Sequence, residues 1–351
     1  MNKRKKKHKI RYFRIGMALI LLVLIIIGIV FIAIRIPGKG KVSVPAGNTP
    51  VTADPAEQTS AGSSQEPTTE ALPIIFYPEL TANSIQLPEE ADTKYAILID
   101  TETNEIVAYK DYNVRMYPAS LTKVMTLIVA AENISDLNDT VLITADMIDP
   151  MINLHASRAG FCAGETPTLE QVLYGVVLPS GADAALAAAY YVAGSEAAFV
   201  EMMNQKAQEM GLKNTHFTNV SGLHDEQHYS TAEDMAMILE YAIQNKLCEK
   251  ILSTYQYTIP PTEYNPEGLL LTSTLFSRME GTEMPGVIVK GGKTGYTDEA
   301  GQCLESYAEI NGKTYIMVLA GGVSKWQAVY MTLSGYSVYC AGGEEYVPPT
   351  K

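Results

Sequence analysis

The sequence predicts an α+β fold, because strand-like segments lie near both ends of its C-terminal three quarters and helix-like segments lie between them. Residues 95–100 (YAILID) and 106–109 (IVAY) flank a polar, turn-rich stretch, a pattern typical of a β-hairpin. Strand signals return after residue 286. A sheet formed from both chain ends, with the helices packed against it, satisfies this order.

The middle of the chain carries the helical signals. Thr168 and Gln171 have the spacing of a capping box, and Gly211 follows an apolar helical run as a C-terminal stop. The predicted helices cover residues 120–132, 168–177, 182–193, 195–210, 231–245 and 325–340.

The late strands are predicted at 286–289 and onward to Lys293, at 302–310 and at 313–321. Asn311-Gly312 lies between the last two strands and is a strong signal for a type I′ turn, since both turn residues need positive φ. These two strands are therefore expected to form a second hairpin.

The N-terminal quarter does not have the composition of a globular domain. Residues 1–14 are strongly basic, and residues 15–36 contain an uncharged run long enough to cross about 30 Å of hydrocarbon. We interpret 15–36 as an uncleaved membrane anchor, with a cleaved signal peptide as the alternative. Residues 37–75, rich in Pro, Gly, Ser and Thr, are expected to be a disordered linker, and 76–345 the catalytic domain. Basic residues stay cytoplasmic, so this domain is expected outside the cell membrane on a single-pass anchor.

The net charge of -13 conceals a strong asymmetry. The first 41 residues hold eleven Lys or Arg and no acid, which leaves 15 basic against 39 acidic residues in the remainder. A body this acidic repels polyanions, so nucleic acid is not expected as a partner.

The four cysteines lie far apart in the sequence, without the close pairs that metal sites use. We expect buried thiols, although a disulfide stays open for a domain outside the membrane. The four are Cys162, Cys248, Cys303 and Cys340.

Ser120 and Lys123 form a Ser-x-x-Lys motif at the start of a predicted helix. The i, i+3 spacing puts the hydroxyl and the amine on one helix face, and a buried lysine with a lowered pKa can take a proton from a serine nucleophile. The motif alone is weak, because a chain of this length contains about one by chance. A capping serine and a solvated lysine would also explain it.

Two further segments strengthen the prediction of a catalytic role for Ser120. Lys293-Thr294-Gly295 follows an apolar strand, where a cation and a hydroxyl suit a terminal carboxylate and Gly295 allows close backbone approach to a peptide. Ser180 lies on a turn between predicted helices, where its hydroxyl could relay a proton to a leaving amine. Each segment alone also fits an ordinary strand end or turn.

These motifs and their flanks resemble one family, the low-molecular-mass penicillin-binding proteins, which are serine D-alanyl-D-alanine carboxypeptidases. The resemblance covers about residues 85–340 and is dense. It rests on PASLTKVMT around Ser120, GETPTLEQVLYGVVLPSGADAA around Ser180, FVEMMNQKAQEMGLKNTHFTNVSGL, HYSTAEDMA and GGKTGYTDEAGQC around Lys293.

The resemblance implies a β-lactamase/transpeptidase-like domain, with an antiparallel sheet flanked by helices and a helical subdomain. It implies an acyl-enzyme on Ser120 with Lys123 as general base and Ser180 in the proton shuttle. The substrate would be a peptidoglycan stem peptide ending in D-Ala-D-Ala, β-lactams would bind the same site, and no cofactor or metal is implied.

Substrate binding is implied for the third motif as well. Lys293 and Thr294 would hold the terminal carboxylate, beside Gly295, and the backbone N–H groups of Ser120 and Tyr296 would form the oxyanion hole.

The sequence departs from the family pattern in two places. Ala182 stands where the family has the asparagine of Ser-x-Asn, which removes a hydrogen-bonding side chain and predicts a slower or differently selective enzyme. After Glu344 the sequence resembles neither the β-rich domain nor the amphipathic anchor in which many members end, so attachment is expected to rest on the N-terminal segment.

Three other interpretations stay open at this point. His224-Asp-Glu-Gln-His228 invites comparison with a zinc hydrolase, but the spacing on a loop is a poor match to a helical H-E-x-x-H. A β-lactamase shares the three-motif plan, yet no convincing glutamate loop for deacylation precedes Lys293. A catalytically impaired wall-binding relative would account for Ala182.

Overall fold

The computed structural model describes residues 76–348, and all of the helices and strands below lie within them. The described residues belong to one compact unit, Thr69–Lys351. The predicted cytoplasmic segment (1–14), membrane anchor (15–36) and linker (37–75) lie outside the described residues. Between residues 76 and 348, no helix combines the length and apolarity that crossing a bilayer requires.

Eight strands and nine α-helices are found in this part of the chain. The strands are β1 (Glu79–Gln86), β2 (Tyr95–Asp100), β3 (Glu105–Lys110), β4 (Gln256–Ile259), β5 (Leu269–Thr272), β6 (Ile288–Thr297), β7 (Gly301–Ile310) and β8 (Lys313–Gly322). The helices are α1 (Thr122–Asn133), α2 (Ala145–Asn153), α3 (Leu169–Val177), α4 (Ala182–Ala193), α5 (Glu196–Glu209), α6 (Ala232–Gln244), α7 (Lys246–Leu252), α8 (Thr274–Met279) and α9 (Lys325–Tyr336).

Six strands form the main sheet in the order β1-β3-β2-β8-β7-β6. Strand β2 pairs with β3 on one side and with β8 on the other, so the sheet is closed by the two ends of the domain, as the sequence predicted. The expectation of an antiparallel sheet is wrong in one respect. Strand β1 runs parallel to β3, because the chain crosses over between them through β2, and the sheet is therefore mixed.

The two faces of the sheet are covered by different layers, as the alternation of side chains requires. On one face, residues such as Ile97 and Val318 join the large core formed with helices α1 to α7. On the other face, Leu98 and Met317 pack with Tyr336 at the end of α9. The helices between β3 and β6 thus form the predicted helical subdomain, and the site lies where this subdomain meets β6.

Local signals in the sequence account for several of the element boundaries. The capping box at Thr168 is present, with Gln171 N–H donating to Thr168 Oγ1 and Thr168 N–H donating to Gln171 Oε1. Asn311 and Gly312 both have positive φ, as a type I′ turn requires. The last helix ends earlier than predicted: regular α-helix stops at Tyr336, and a π-helical turn, Ser337–Ala341, follows.

All four cysteines are free thiols in the structure. Cys248 and Cys303 are buried, as expected, whereas Cys162 and Cys340 are only half-buried. Burial raises the pKa of the Cys248 thiol to about 12, and burial likewise raises the pKa of Cys303 to about 12. These two thiols are therefore protonated at neutral pH and inert as nucleophiles.

Candidate active site

Ser120 lies in a short 3₁₀ turn, Ala119–Leu121, that runs directly into α1. Helix α1 is buried over most of its length, so the turn is anchored in the core of the helical subdomain. The Nζ of Lys123 donates a hydrogen bond to Ser120 Oγ at 3.0 Å. The contact expected from the i, i+3 spacing is therefore formed.

The amine of Lys123 is enclosed by protein. Only 2% of the residue is exposed, and Nζ also donates to the backbone carbonyl of Ser221 at 2.6 Å. Burial lowers the pKa of Lys123 to about 7, while the charge of Asp183 acts in the opposite direction. Near neutral pH a substantial fraction of this amine is therefore uncharged and able to accept a proton from Ser120.

The loop that offers the Ser221 carbonyl is organised by one side chain. Asn219 Oδ1 accepts hydrogen bonds from the backbone N–H groups of Ser221, Gly222 and Leu223 at 3.1, 2.7 and 3.1 Å. Asn219 Nδ2 donates to the Leu223 carbonyl at 2.9 Å and closes the loop. Three fixed amides hold the Ser221 carbonyl in place, so the position of the Lys123 amine depends on Asn219.

Two glycines allow the chain to close on the Ser120 turn from both sides. A Cβ on Gly222 would lie 1.8 Å from the Ala119 carbonyl oxygen, and a Cβ on Gly295 would lie 2.9 Å from Ser120 N. Gly222 also has a φ of +78°, which side chains rarely adopt. Loop 219–223 and strand β6 can therefore approach the Ser120 turn only because these residues have no side chain.

Ser120 opens into a cleft of about 580 Å³ between the helical subdomain and β6. Of the residues predicted from the sequence, six line it and one lies beneath its wall. The six are Ser120, Lys123, Ser180, Thr294, Gly295 and Tyr296. The seventh, Lys293, is only 1% exposed. The structure thus brings the three motifs together, while their individual roles remain predictions.

The second motif sits at the start of α4. Ser180 has a φ of +64°, and its buried Oγ makes no hydrogen bond to any residue in the 76–348 range. Ala182 begins the helix and lines the cleft, where it offers no polar atom. Asp183 instead accepts bonds from the N–H groups of Ala159 and Ala184, at 2.7 and 2.9 Å, and so fixes the local backbone.

In the third motif, Thr294 lines the cleft and Lys293 is buried next to it. Thr294 Oγ1 is hydrogen-bonded to Thr274 Oγ1 at 2.7 Å, and both residues line the cleft. Lys293 lies beneath and donates to the Thr294 carbonyl at 2.7 Å. Burial lowers the pKa of Lys293 well below its ordinary value, and the nearby amine of Lys123 lowers it further.

Arg278 on α8 was missed by the sequence analysis. Its side chain lines the cleft with Thr274 and Thr294, and its Nη1 is buried without a hydrogen-bond partner among the described residues. An unpaired guanidinium group in a cleft suits a planar carboxylate. A single arginine has no local sequence signature, so only the folded arrangement could reveal it.

Tyr296 is 53% exposed, and its hydroxyl donates to Asp298 Oδ1 at 2.7 Å. The side chain is thus engaged with its neighbour in the turn after β6. The role that the resemblance implied for the Tyr296 backbone N–H stays a prediction.

His228 is buried and contacts the first residue of α1, Thr122. Its Nε2 is 2.8 Å from Thr122 Oγ1, and Nδ1 accepts from the Thr218 N–H at 3.1 Å. Burial lowers the pKa of His228 to about 4, so the ring is neutral at pH 7. Both ring nitrogens are used inside the fold, which argues against His224 and His228 as a pair of zinc ligands. Across residues 76–348, no cluster of three potential metal ligands is found.

Comparison with known proteins agrees with this geometry. The family model described as D-alanyl-D-alanine carboxypeptidase matches residues 81–323. Among curated proteins, the carboxypeptidase DacF of Bacillus subtilis is 33% identical over 249 residues, which is 71% of this chain and 62% of DacF. The carboxypeptidase DacA of Escherichia coli is 34% identical over 241 residues, 66% of this chain and 57% of DacA. The chain thus spans about three fifths of the length of these relatives.

Solved structures show the same fold. The Streptomyces K15 DD-transpeptidase is 29% identical, with a TM-score of 0.60 over 69% of this chain and 94% of that protein. The carboxypeptidase DacD from Francisella tularensis has a TM-score of 0.60 and 28% identity over 68% of each chain. Both support a β-lactamase/transpeptidase-like domain.

The environment of Lys123 predicts how acylation depends on pH. The neutral amine is the base, and its fraction rises as pH increases through about 7. The second-order rate constant for acylation by a β-lactam should therefore increase between pH 5 and 8 with a midpoint near 7. Stopped-flow or quenched labelling across this range measures it, with circular dichroism confirming the fold at each pH. A rate constant that stays flat from pH 5 to 8 would contradict the role of Lys123.

Proposed function

The chain belongs to the D-alanyl-D-alanine carboxypeptidase family, and we propose that it removes the terminal D-alanine from peptidoglycan stem peptides through an acyl-enzyme on Ser120. The observation that carries this proposal is the buried Lys123 amine, 3.0 Å from Ser120 Oγ in a cleft. The substrates would be stem peptides ending in D-Ala-D-Ala, and the reaction would serve cell-wall maturation. β-Lactam antibiotics would acylate the same serine.

In the acylation step, Ser120 Oγ attacks the penultimate D-alanine carbonyl while neutral Lys123 takes the hydroxyl proton. The oxyanion is stabilised by the backbone N–H groups of Ser120 and Tyr296, and one such donor is worth about 3 kcal/mol. The proton then passes to the leaving amine through the Ser180 hydroxyl, and D-alanine departs. Water hydrolyses the ester and regenerates Ser120, with Lys123 again accepting a proton.

The terminal carboxylate of the substrate would bind at the β6 side of the cleft. Thr294 and Arg278 line the cleft, and Lys293, the residue before Thr294 on β6, is buried. This division differs from the expectation that Lys293 and Thr294 together hold the carboxylate, because it adds Arg278 and gives Lys293 no direct contact. The guanidinium offers two parallel hydrogen bonds, while Lys293 contributes mainly through its charge.

One observation favours a second candidate, a catalytically impaired relative that binds the wall. Ala182 offers no hydrogen bond to Lys123 or to a substrate carbonyl. The Ser221 carbonyl, however, already accepts from Lys123 at 2.6 Å, so the base keeps a partner without an asparagine. This contact favours an active enzyme over an inert one.

The first prediction of this proposal concerns covalent labelling. Penicillin should add one acyl group to the wild-type chain at Ser120, and S120A should take up none, because the attacking oxygen is gone. Intact-mass and peptide mass spectrometry measure the adduct, while release of D-alanine from a stem pentapeptide measures turnover. S157A, at an exposed serine on the same cleft, is the matched control and should be labelled like the wild type. An unlabelled wild-type chain would support the wall-binding relative instead.

A second prediction concerns position 182. A182N would supply the missing amide at the cleft, and the acylation rate constant should rise roughly ten- to a hundredfold because charge-assisted bonds of about 1.5–3 kcal/mol are restored. A156N introduces the same amide on another part of the cleft wall and should not raise the rate. A folded A182N variant that acylates no faster than A156N would show that the fold compensates for the alanine by other means.

We further propose that the chain is held at the cytoplasmic membrane by residues 15–36, with the catalytic domain on the extracytoplasmic side. The support is sequence alone: an uncharged run of spanning length after a strongly basic segment. The chain should pellet with membranes and resist extraction by alkaline carbonate, and deletion of 1–36 should release it. Carbonate extraction of the full chain would contradict a spanning anchor.

A further inference from the structure

Glu305 is an unusual residue at the centre of β7. It is 0% exposed, and within residues 76–348 neither carboxylate oxygen has a hydrogen-bond partner. Its neighbours on the same face, Cys303 and Tyr307, are buried in the large core that includes the helical subdomain. A buried carboxylate without hydrogen bonds is strongly unfavourable unless another charge balances it.

The strand register places a lysine directly opposite this carboxylate. In the β6–β7 ladder Glu305 pairs with Lys293, and directly opposite residues point to the same face with Cβ atoms about 4.5–5.5 Å apart. On its other side Glu305 is paired with the apolar Val318. Lys293 is therefore the basic residue that the sheet holds beside Glu305.

The charges around Lys293 show what Glu305 contributes. Lys123 and Arg278 both disfavour a proton on Lys293, and burial disfavours it more strongly than either. Glu305 is the group that acts in the opposite direction. Without this carboxylate, burial and the charge of Arg278 would both act to leave Lys293 neutral, and Lys123 would add to them whenever its amine is charged.

The two buried lysines of the site differ in the acid they face. Lys123 is influenced by Asp183, but the oxygens of Asp183 already accept three backbone hydrogen bonds, from Ala159, Gly160 and Ala184. The oxygens of Glu305 accept none. Burial raises the pKa of Glu305 well above its ordinary value, and the charge of Lys293 is what lowers it. Glu305 thus acts against the burial of Lys293, and within this buried pair each charge favours the ionised form of the other.

We propose that Glu305 is a positioning residue that keeps Lys293 a cation while Lys123 serves as a neutral base. This inference rests on the proposed function, since the cation is needed to attract the terminal carboxylate of a substrate or a β-lactam. It assigns a reason for a carboxylate in the middle of a core strand. It also separates the protonation states of two lysines that lie close together.

The test is the alkaline side of the pH profile for β-lactam acylation. The alkaline limb is the pH range in which the acylation rate constant falls as Lys293 loses its proton. In E305Q this proton is no longer stabilised, so the limb should move to a pH lower by at least about one unit. At a pH above the limb, this shift lowers the rate constant about tenfold. The acidic limb, set by Lys123, should stay near pH 7. Rate constants for the full chain between pH 5 and 10 measure both limbs.

Two variants separate charge from packing. Y307F removes a buried hydroxyl without a hydrogen-bond partner from the same face of β7, and it should leave both limbs in place. E305D keeps the charge in a smaller side chain and should keep the alkaline limb within about half a pH unit of wild type. An alkaline limb that moves as far in E305D as in E305Q would overturn the charge argument. If E305Q does not fold, a downward shift of about one pH unit or more in E305D would overturn it as well.

The outcomes also distinguish this inference from the proposed function. If wild type is not acylated at any pH, the proposed function fails. If wild type is acylated and a folded E305Q has the same alkaline limb, only the role of Glu305 is overturned. A lowered alkaline limb in E305Q, restored in E305D and unchanged in Y307F, supports both.

Discussion

The site depends on one buried amine. Lys123 is held between Ser120 Oγ at 3.0 Å and the Ser221 carbonyl at 2.6 Å, and almost none of its surface reaches solvent. In water an amine is protonated at neutral pH and cannot act as a base. The architecture around Lys123 is a means of burying this amine while leaving the serine oxygen accessible in a cleft.

The fold supplies the burial from three distant parts of the chain. Helix α1 carries Lys123 into the core of the helical subdomain, loop 219–223 presents its carbonyl, and β6 closes the other side. Pairing of β2 with β8 is what fixes β6 and its neighbours against the N-terminal strands. Gly222 and Gly295 then determine how closely the parts can approach. The surroundings of Lys123 therefore depend on parts of the chain that lie far apart in the sequence.

Features encoded locally could be predicted from the sequence. The spacing of Ser120 and Lys123 requires only one helical turn, the capping box at Thr168 requires four residues, and the turn at Asn311-Gly312 requires two. Each is decided by neighbours in the chain, so a pattern of residue types is sufficient. The family resemblance added the association of the three motifs, which no local pattern contains.

Features created by the tertiary structure could not be predicted in this way. The acceptor that Ser221 offers to Lys123 is a backbone carbonyl, which any residue type could provide. Arg278 reaches the cleft from a short helix that has no sequence motif. In the sequence Glu305 is an ordinary polar residue of a predicted strand. Only the strand register shows that it is opposite Lys293. Strand β1 was not predicted at all, because its exposed residues show no buried alternating face, and its parallel pairing with β3 follows only from the fold.

The ionisation of Lys123 is the property on which this account depends most directly. With lysine labelled at Cε by ¹³C, and K123R used to assign the resonance, an NMR titration of the full chain reports the pKa of this side chain alone. The account predicts a midpoint near pH 7 for Lys123, well below that of the exposed lysines. A midpoint near 10.4, the ordinary value for a lysine, would show that the amine is charged at neutral pH and would contradict its role as the base.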